Sequence, residues 1–450
     1  MPPAVERLPL TGADAFLLAF NAETRRRNRA SHLSQIVLRL GSGFDDAGFE
    51  RVLADVVRAN PIVTAPIRRP GLLGTGAAEY RLDLAARAPG PEFSVHRMSG
   101  PAPAPDAVSV PAQVTKRLNS LHSEKVGGLF HVDALRYDDG ATDLVITWLH
   151  MLLDGWGSER FVEFLEAVYG GTSAAAVPAA DAPDAPPDVA LPATQRERGA
   201  MAMSWQNWMS NLGKLRVRSI AGPECGARQD LVVARSRYDA SQSESITGRA
   251  SQLAGFLTPM IFYLAAAIRA HHAVLEKRGT PSESYVVPLP VNLRPKGGEG
   301  GIFRTRVSLL WFQVESKLAG DLEALLQALK EQRRRAIRTH QIENGVAAMD
   351  FARFAPSRIY GSMARRALRG ELCSFFFAYT GEFCPGLDRF FGAPVHDGYG
   401  VPSVPASPGS GLVFALRGGQ LGATHVYQRD AWTDDDLGIF RGQLEQDLLG

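Results

Sequence analysis

The sequence HMLLDG, from His150 to Gly155, combines residue types that can move a proton near neutral pH. An imidazole titrates close to neutrality, so His150 could take a proton from an attacking hydroxyl or amine group. Asp154 could orient that imidazole, as in a catalytic triad, or turn away and pair with a cation. Gly155 would allow a backbone conformation or a close approach that a Cβ atom forbids. The motif therefore predicts a general base supported by its own loop.

The elements around this motif would place His150 at the end of a strand. Residues 143–150 (DLVITWLH) are rich in β-branched and aromatic side chains and are too few for a long helix, so they predict a strand. After the loop that follows, Ser158 is a candidate N-cap for a helix. A histidine in this place can project from a rigid strand end into a cleft.

The order of elements predicts two α/β lobes joined by a linker. Strand and helix patterns alternate through residues 1–172, and Leu33–Leu40 has the period of a half-buried strand. Residues 173–198 are dominated by Ala and Pro, which predicts an extended linker. Residues 199–450 form the second lobe, near whose end Gly418-Gly419 predicts the turn of a hairpin.

Composition excludes several classes of protein. The chain has 450 residues, of which 45% are hydrophobic and 21% charged, as in globular proteins of about two domains. Its net charge of +2 provides no strong field for binding nucleic acid. The most apolar stretch, Leu257–Leu275, contains Arg269 and is predicted to be a buried helix rather than a membrane span. The N-terminal residues do not resemble a signal peptide, so we expect a cytoplasmic protein.

Neither a disulfide framework nor a metal site is predicted. The cysteines Cys225, Cys373 and Cys384 are too few and too widely spaced for either. The glycines of residues 297–301 lack the Lys-Ser/Thr pair of a phosphate-binding loop. We expect no metal and no bound cofactor, and a substrate that reaches the protein already activated.

Three motifs in order carry a resemblance to a known superfamily: HMLLDG, Pro290–Arg294 (PVNLR) and Phe390–Val395 (FFGAPV). With them the chain resembles nonribosomal-peptide condensation domains, chloramphenicol-acetyltransferase-like enzymes and related HxxxD acyltransferases, nearly from end to end. The resemblance implies an α/β fold of two similar chloramphenicol-acetyltransferase-like lobes. Each lobe would be a mixed sheet with helices, and an active-site channel would run between them.

The resemblance also implies roles for individual residues. His150 matches the histidine that acts as general base on the acceptor. Asp154 would be mainly structural and would pair with Arg294. Trp156 and Thr380 are candidate substrate-binding residues.

The sequence departs from the superfamily patterns at two places. Leu149 stands where condensation domains have the first of two histidines, which weakens the case for a standard peptide-bond-forming domain. The plant-type DFGWG signature is also missing, and residues 396–400 (HDGYG) are only loosely similar. We therefore expect His396 to be a loop residue rather than a second base.

The function that the resemblance implies is acyl transfer from a thioester to an alcohol or amine, giving an ester or amide. The donor would be an acyl-CoA or a phosphopantetheinyl carrier protein, and the acceptor a small molecule or a carrier-tethered group. Cationic runs at Arg25–Arg29, Arg333–Arg335 and Arg365-Arg366 are candidates for attracting the donor. Two alternatives stay open: a catalytically silent condensation-like protein that recruits a partner in natural-product biosynthesis, and an unrelated two-lobed enzyme.

Overall fold

A computed structural model describes most of the chain. The described residues are 6–69, 76–104, 110–178, 181–182, 189–223, 228–295, 300–405 and 407–450. Cys225 lies outside these ranges. The strands are β1 (Arg7–Pro9), β2 (Leu33–Leu40), β3 (Ile67–Arg68), β4 (Glu79–Arg81), β5 (Glu92–Arg97), β6 (Phe130–Arg136), β7 (Thr142–Leu149), β8 (Leu231–Arg237), β9 (Ser284–Asn292), β10 (Val307–Glu315), β11 (Phe376–Glu382), β12 (Arg389–Phe390), β13 (Ala393–Val401), β14 (Ser410–Arg417) and β15 (Gln420–Gln428). The helices are α1 (Gly12–Asn28), α2 (Asp46–Ala59), α3 (Ala112–Thr115), α4 (Gly155–Tyr169), α5 (Gln195–Leu212), α6 (Ala240–Ala254), α7 (Met260–Lys277), α8 (Leu322–Arg338), α9 (Gln341–Ala352), α10 (Ser357–Arg366) and α11 (Asp434–Leu449).

The sheet of the first lobe supports the predicted base. Its strand order is β12-β13-β2-β7-β6-β5, with β5 and β6 parallel and the other neighbours antiparallel. Every residue of β7 is buried, and Ile146 lies opposite Ile36 of β2. Because β7 lies inside the sheet and is paired on both edges, it gives His150, the next residue after it, a rigid support.

The strand β2 is buried on both faces, whereas its alternating pattern predicts one face in water. Only Arg39 of this strand is partly exposed. The polar side chains on β2 are paired: Arg39 Nη2 donates to Asp143 at 2.8 Å and Gln35 Nε2 donates to Thr147 Oγ1 at 2.9 Å. The prediction of a half-buried strand is therefore wrong, because strands pair on both its edges and both its faces are covered.

A segment from the second half of the chain completes the first sheet. Strand β13 pairs antiparallel with β2, placing Tyr399 opposite Val37, and β12 extends the sheet beyond it. His396 lies exposed on β13, so its predicted place in a loop is wrong. Residues 389–401 fall within the predicted second lobe, 199–450, but they belong to the sheet of the first.

The second lobe is built around another mixed sheet. Its order is β11-β14-β15-β8, with β11 and β14 parallel, and the predicted turn at Gly418-Gly419 joins β14 to β15. The apolar stretch predicted to be a buried helix forms α7, which packs in the core of this lobe. Strands β9 and β10 form a separate antiparallel ribbon. Among the described residues, no helix is long and apolar enough to cross a membrane.

Part of the predicted linker, 173–198, is packed. Its last residues already belong to α5, which begins at Gln195. The side chain of Asp181 is buried, and its carboxylate accepts the backbone N–H groups of Ile302 and Phe303 at 2.6 and 3.0 Å. Residues 179–180 and 183–188 lie outside the described ranges. The described part of this segment therefore contributes contacts to the loop before β10.

Candidate active site

A cavity of about 400 Å³ lies where elements of both halves meet. Its walls are mostly apolar and come from α1, the start of α4 and the strands β9, β11 and β14. The predicted site residues His150, Asp154, Gly155, Trp156, Arg294 and Thr380 all line it. The fold thus brings together residues that lie far apart along the sequence.

His150 follows the last residue of β7 and faces this cavity. Its backbone N–H donates to the His32 carbonyl at 3.1 Å, which continues the β2–β7 pairing by one residue. Its Nδ1 lies 3.3 Å from the Leu153 carbonyl oxygen. Because a carbonyl can only accept, Nδ1 carries the proton and Nε2 keeps a lone pair. Burial lowers the pKa of His150 below its ordinary value, and the hydrogen bond to the Leu153 carbonyl and the charge of Asp154 offset part of that shift.

Asp154 pairs with a cation and does not orient the imidazole. Its Oδ1 accepts the Gly157 N–H at 2.8 Å, so Asp154 is the N-cap of α4. The prediction that Ser158 caps this helix is therefore wrong. Asp154 Oδ2 accepts from Arg294 Nη1 at 2.9 Å and from the Arg306 backbone N–H at 2.8 Å. This carboxylate ties the motif loop to the second half of the chain, and the ion pair implied by the resemblance is present.

Arg294 is buried and has several partners besides Asp154. Its side chain is only 2% exposed, and its Nε donates to the Gly301 carbonyl at 2.8 Å. The guanidinium carbon lies 4.5 Å from the centre of the Trp156 ring, a cation–π contact. Trp156 therefore packs on the Arg294–Asp154 pair as well as lining the cavity.

Two further aspartates, which sequence reasoning missed, fix the loop before β10 together with Asp154. Asp14 of α1 accepts the Thr305 N–H at 2.9 Å, and Asp181 accepts two N–H groups of the same loop. Arg304 N–H donates to the Leu152 carbonyl at 2.7 Å, so the loop also pairs with the motif. The only local signal was the capping box of α1, in which Asp14 bonds to Thr11. A capping box predicts a helix start but no distant partner.

Several solved structures are similar to this fold over nearly the whole chain. The first condensation domain of the calcium-dependent antibiotic synthetase is 15% identical, with a TM-score of 0.69 over 98% of this chain and 96% of that one. Trichothecene 15-O-acetyltransferase from Fusarium sporotrichioides is 14% identical, with a TM-score of 0.68 over 98% of this chain and 95% of that one. The chain has the condensation-domain fold. The epimerization domain from the third module of tyrocidine synthetase B is also similar, at 14% identity and a TM-score of 0.57 over 99% of this chain and 95% of that one. No family model and no curated protein sequence matches.

Within this condensation-domain fold, Gly157 rather than Gly155 is the glycine that packing requires. A Cβ atom added to Gly155 would meet nothing within 4 Å, and its backbone is not left-handed. A Cβ atom on Gly157 would lie 2.3 Å from the Ile302 carbonyl oxygen and 3.3 Å from Arg294 Nη2. The predicted steric role of Gly155 is therefore wrong, and the close approach occurs two residues later.

Replacing Gly157 with alanine is expected to destabilise the protein by about 1–3 kcal/mol, the range for overpacking a filled site. The added methyl group would push the Ile302 loop away from the Asp154–Arg294 pair. The matched control is Gly155→Ala, which meets open space and should leave stability unchanged or slightly raised. Urea unfolding of the two variants measures the difference, and equal midpoints would contradict this account.

Two other titratable residues line the cavity and were missed. His32 is 3% exposed, and its ring centre lies 5.5 Å from that of His150. Burial and the neighbouring His150 lower its pKa well below the ordinary value, so His32 is neutral. Glu159 of α4 accepts the Cys384 N–H at 2.9 Å, and burial raises its pKa to about 7. His396 does not line the cavity. No spacing in the sequence links His32 to the HMLLDG motif.

Some arginines of the predicted cationic steering surface form ion pairs within the protein. Arg365 is only 4% exposed and lies 3.3 Å from Glu23, which also binds Arg26 and Arg27. Arg25 pairs with Glu124 at 3.1 Å. The expectation that Arg365 faces solvent is therefore wrong.

Proposed function

We propose that the chain is an acyltransferase that moves an acyl group from a thioester of coenzyme A or a carrier protein to an alcohol or amine acceptor. The observation that carries this proposal is the contact between His150 Nδ1 and the Leu153 carbonyl at the cavity. With Nδ1 donating to the Leu153 carbonyl, Nε2 is left as a base beside the space that substrates would fill. The superfamily fold supports the proposal, although an epimerization domain has the same fold, so fold alone does not choose the reaction.

The reaction proceeds in one chemical sequence without an acyl-enzyme. The acceptor hydroxyl or amine gives its proton to His150 Nε2 while its oxygen or nitrogen forms a bond to the thioester carbonyl carbon. The tetrahedral oxyanion then collapses, the carbon–sulfur bond breaks, and the departing thiolate takes the proton from Nε2. The products are an ester or amide and a free thiol.

The start of α4 is the candidate oxyanion site. The N–H groups of Gly155 and Trp156 come first in the helix, so they have no intrahelical acceptor. Both residues line the cavity beside His150. The helix dipole adds positive potential at this end. Donors at this position would stabilise negative charge that forms only during the reaction.

The experiment that tests the function is a transfer assay on a panel of acyl thioesters and acceptors. The wild-type chain is incubated with acyl-CoAs or acyl carrier proteins and with candidate alcohols or amines. Free thiol release and intact mass spectrometry of the acceptor then report transfer. We expect the mass of the acceptor to increase by that of one acyl group only when the thioester and the protein are both present. Consumption of ATP with a free acid would contradict the donor assignment, and no thiol release with any pair would favour the catalytically silent alternative.

The rate of thioester consumption is expected to fall on the acid side with a midpoint below 6.5, the ordinary pKa of histidine. Only neutral His150 can accept a proton, and burial favours the neutral form, so activity rises as the pH increases through the lowered pKa. Glu159 is the other cavity group that titrates near neutrality. The Glu159→Gln variant should therefore show the same fall in rate at low pH, with the same midpoint. A midpoint at or above 7 in both proteins would contradict the assignment.

A further inference from the structure

Three neutral polar residues form one wall of the otherwise mostly apolar cavity: His32, Ser34 and Ser403, here called the polar wall. All three are buried, with exposures of 3%, 4% and 9%. Ser403 Oγ lies 2.6 Å from His32 Nδ1, so these two residues satisfy each other. Neither is used in the mechanism proposed above.

Ser34 is the member without a partner. Its Oγ is buried and forms no hydrogen bond within the described part of the chain. A buried hydroxyl without a partner makes the folded protein less stable than a buried hydroxyl that is hydrogen-bonded. The Ser34 hydroxyl can both donate and accept, and no residue that the structure describes uses either capacity. Such a group is expected where a ligand supplies the missing bond.

The register of the sheet places the polar wall beside the base. Ser34 of β2 lies opposite Trp148 of β7. Side chains two residues apart along a strand share a face, so Ser34 lies on the face of His32, and Trp148 on that of His150. The ring centres of His32 and His150 are 5.5 Å apart. A group bound at the polar wall would therefore lie within a few bonds of an atom held by His150 Nε2.

The polar wall selects for a neutral group. Its members carry no charge, because His32 is neutral and the other two are hydroxyl groups. Of the charged cavity residues, Asp154 pairs with Arg294, and Glu159 accepts the Cys384 N–H. An ammonium or carboxylate group at the wall would lose its hydration without gaining an opposite charge. A hydroxyl group, which can both donate and accept, fits Ser34.

We propose that the polar wall binds a second hydroxyl group of the acceptor, so that the acceptor is a neutral alcohol with two hydroxyl groups a few carbons apart. One hydroxyl would be held by His150 and acylated, and the other would bond to Ser34. This inference rests on the proposed acyl transfer in one respect, which is that the bound molecule is the acceptor. Binding at the subsite itself needs no thioester.

The test compares binding of octan-1-ol and octane-1,3-diol by isothermal titration calorimetry, without any thioester. The extra hydroxyl makes the diol prefer water, so an apolar cavity alone would bind the diol more weakly. We expect the wild type to prefer the diol by about tenfold. Ser34→Ala removes a hydroxyl that no described protein group uses, so it should fold normally and lose this preference.

The matched control is Ser158→Ala, which removes a hydroxyl that lines the same cavity but donates to the Gly155 carbonyl at 2.7 Å. It should keep the diol preference. Equal affinity for the two compounds, no saturable diol binding, or a preference that survives in Ser34→Ala would overturn the proposal. If the protein prefers the diol but consumes no thioester, the subsite is supported and acyl transfer is contradicted. Failure of the subsite can therefore be distinguished from failure of the proposed function.

Discussion

Replacing His150 with alanine is expected to lower kcat by about 10²–10⁴-fold with the fold intact, the range for loss of a general base. The His150 side chain bonds only to the Leu153 carbonyl within the described residues, so its removal breaks no buried network. Its Nε2 is the proton acceptor in the proposed reaction, so the variant loses the group that takes the proton. Steady-state thiol release measures the loss, and circular dichroism confirms folding.

The matched control for this variant is His396→Ala. His396 is exposed on β13 and does not line the cavity, so the control removes an imidazole while leaving the site unchanged. Its turnover should equal that of the wild type. Near-normal turnover in a folded His150→Ala protein would end the assignment of His150 as the base.

Breaking the Asp154–Arg294 pair is expected to cost about 3–5 kcal/mol of unfolding free energy for either single variant. Both side chains are almost fully buried, at 3% and 2% exposure, so removing one charge leaves the other out of water and without its opposite charge. Asp154→Asn and Arg294→Met are the single changes. The double variant removes both charges and should be less destabilised than the sum of the singles.

The control for this prediction is the exposed Arg58–Asp55 pair on α2, at 76% and 46% exposure. Asp55→Asn should cost only about 0–1 kcal/mol, because water and ions screen the pair. Urea unfolding of the four variants and the wild type measures these differences. Single variants at Asp154 and Arg294 that match this control, or effects that add in the double variant, would show that the pair does not hold the loop.

Local elements of the fold could be predicted from the sequence. The strand that ends before His150, the buried helix α7 and the turn at Gly418-Gly419 follow from periodicity and turn residues within a few positions. Each of these elements depends on the backbone preferences and the apolar spacing of one continuous segment, and both can be read from the sequence of that segment. The parallel pairing of β11 with β14 and the insertion of β13 beside β2 could not be predicted in this way. Those pairings depend on which distant segments bury each other's apolar faces.

The candidate site also has features that are local in the sequence and features that depend on packing between distant segments. The HMLLDG motif alone predicted His150 as a general base, and the resemblance supplied Arg294 as the partner of Asp154. Packing between distant segments pairs Asp154 with Arg294 rather than with the imidazole and makes Gly157 the required glycine. It alone brought His32 and Ser34 to the cavity wall. These contacts join segments that lie far apart along the chain, and no repeating pattern in the sequence links such segments. The distances between their side chains are therefore set by how whole helices and strands pack.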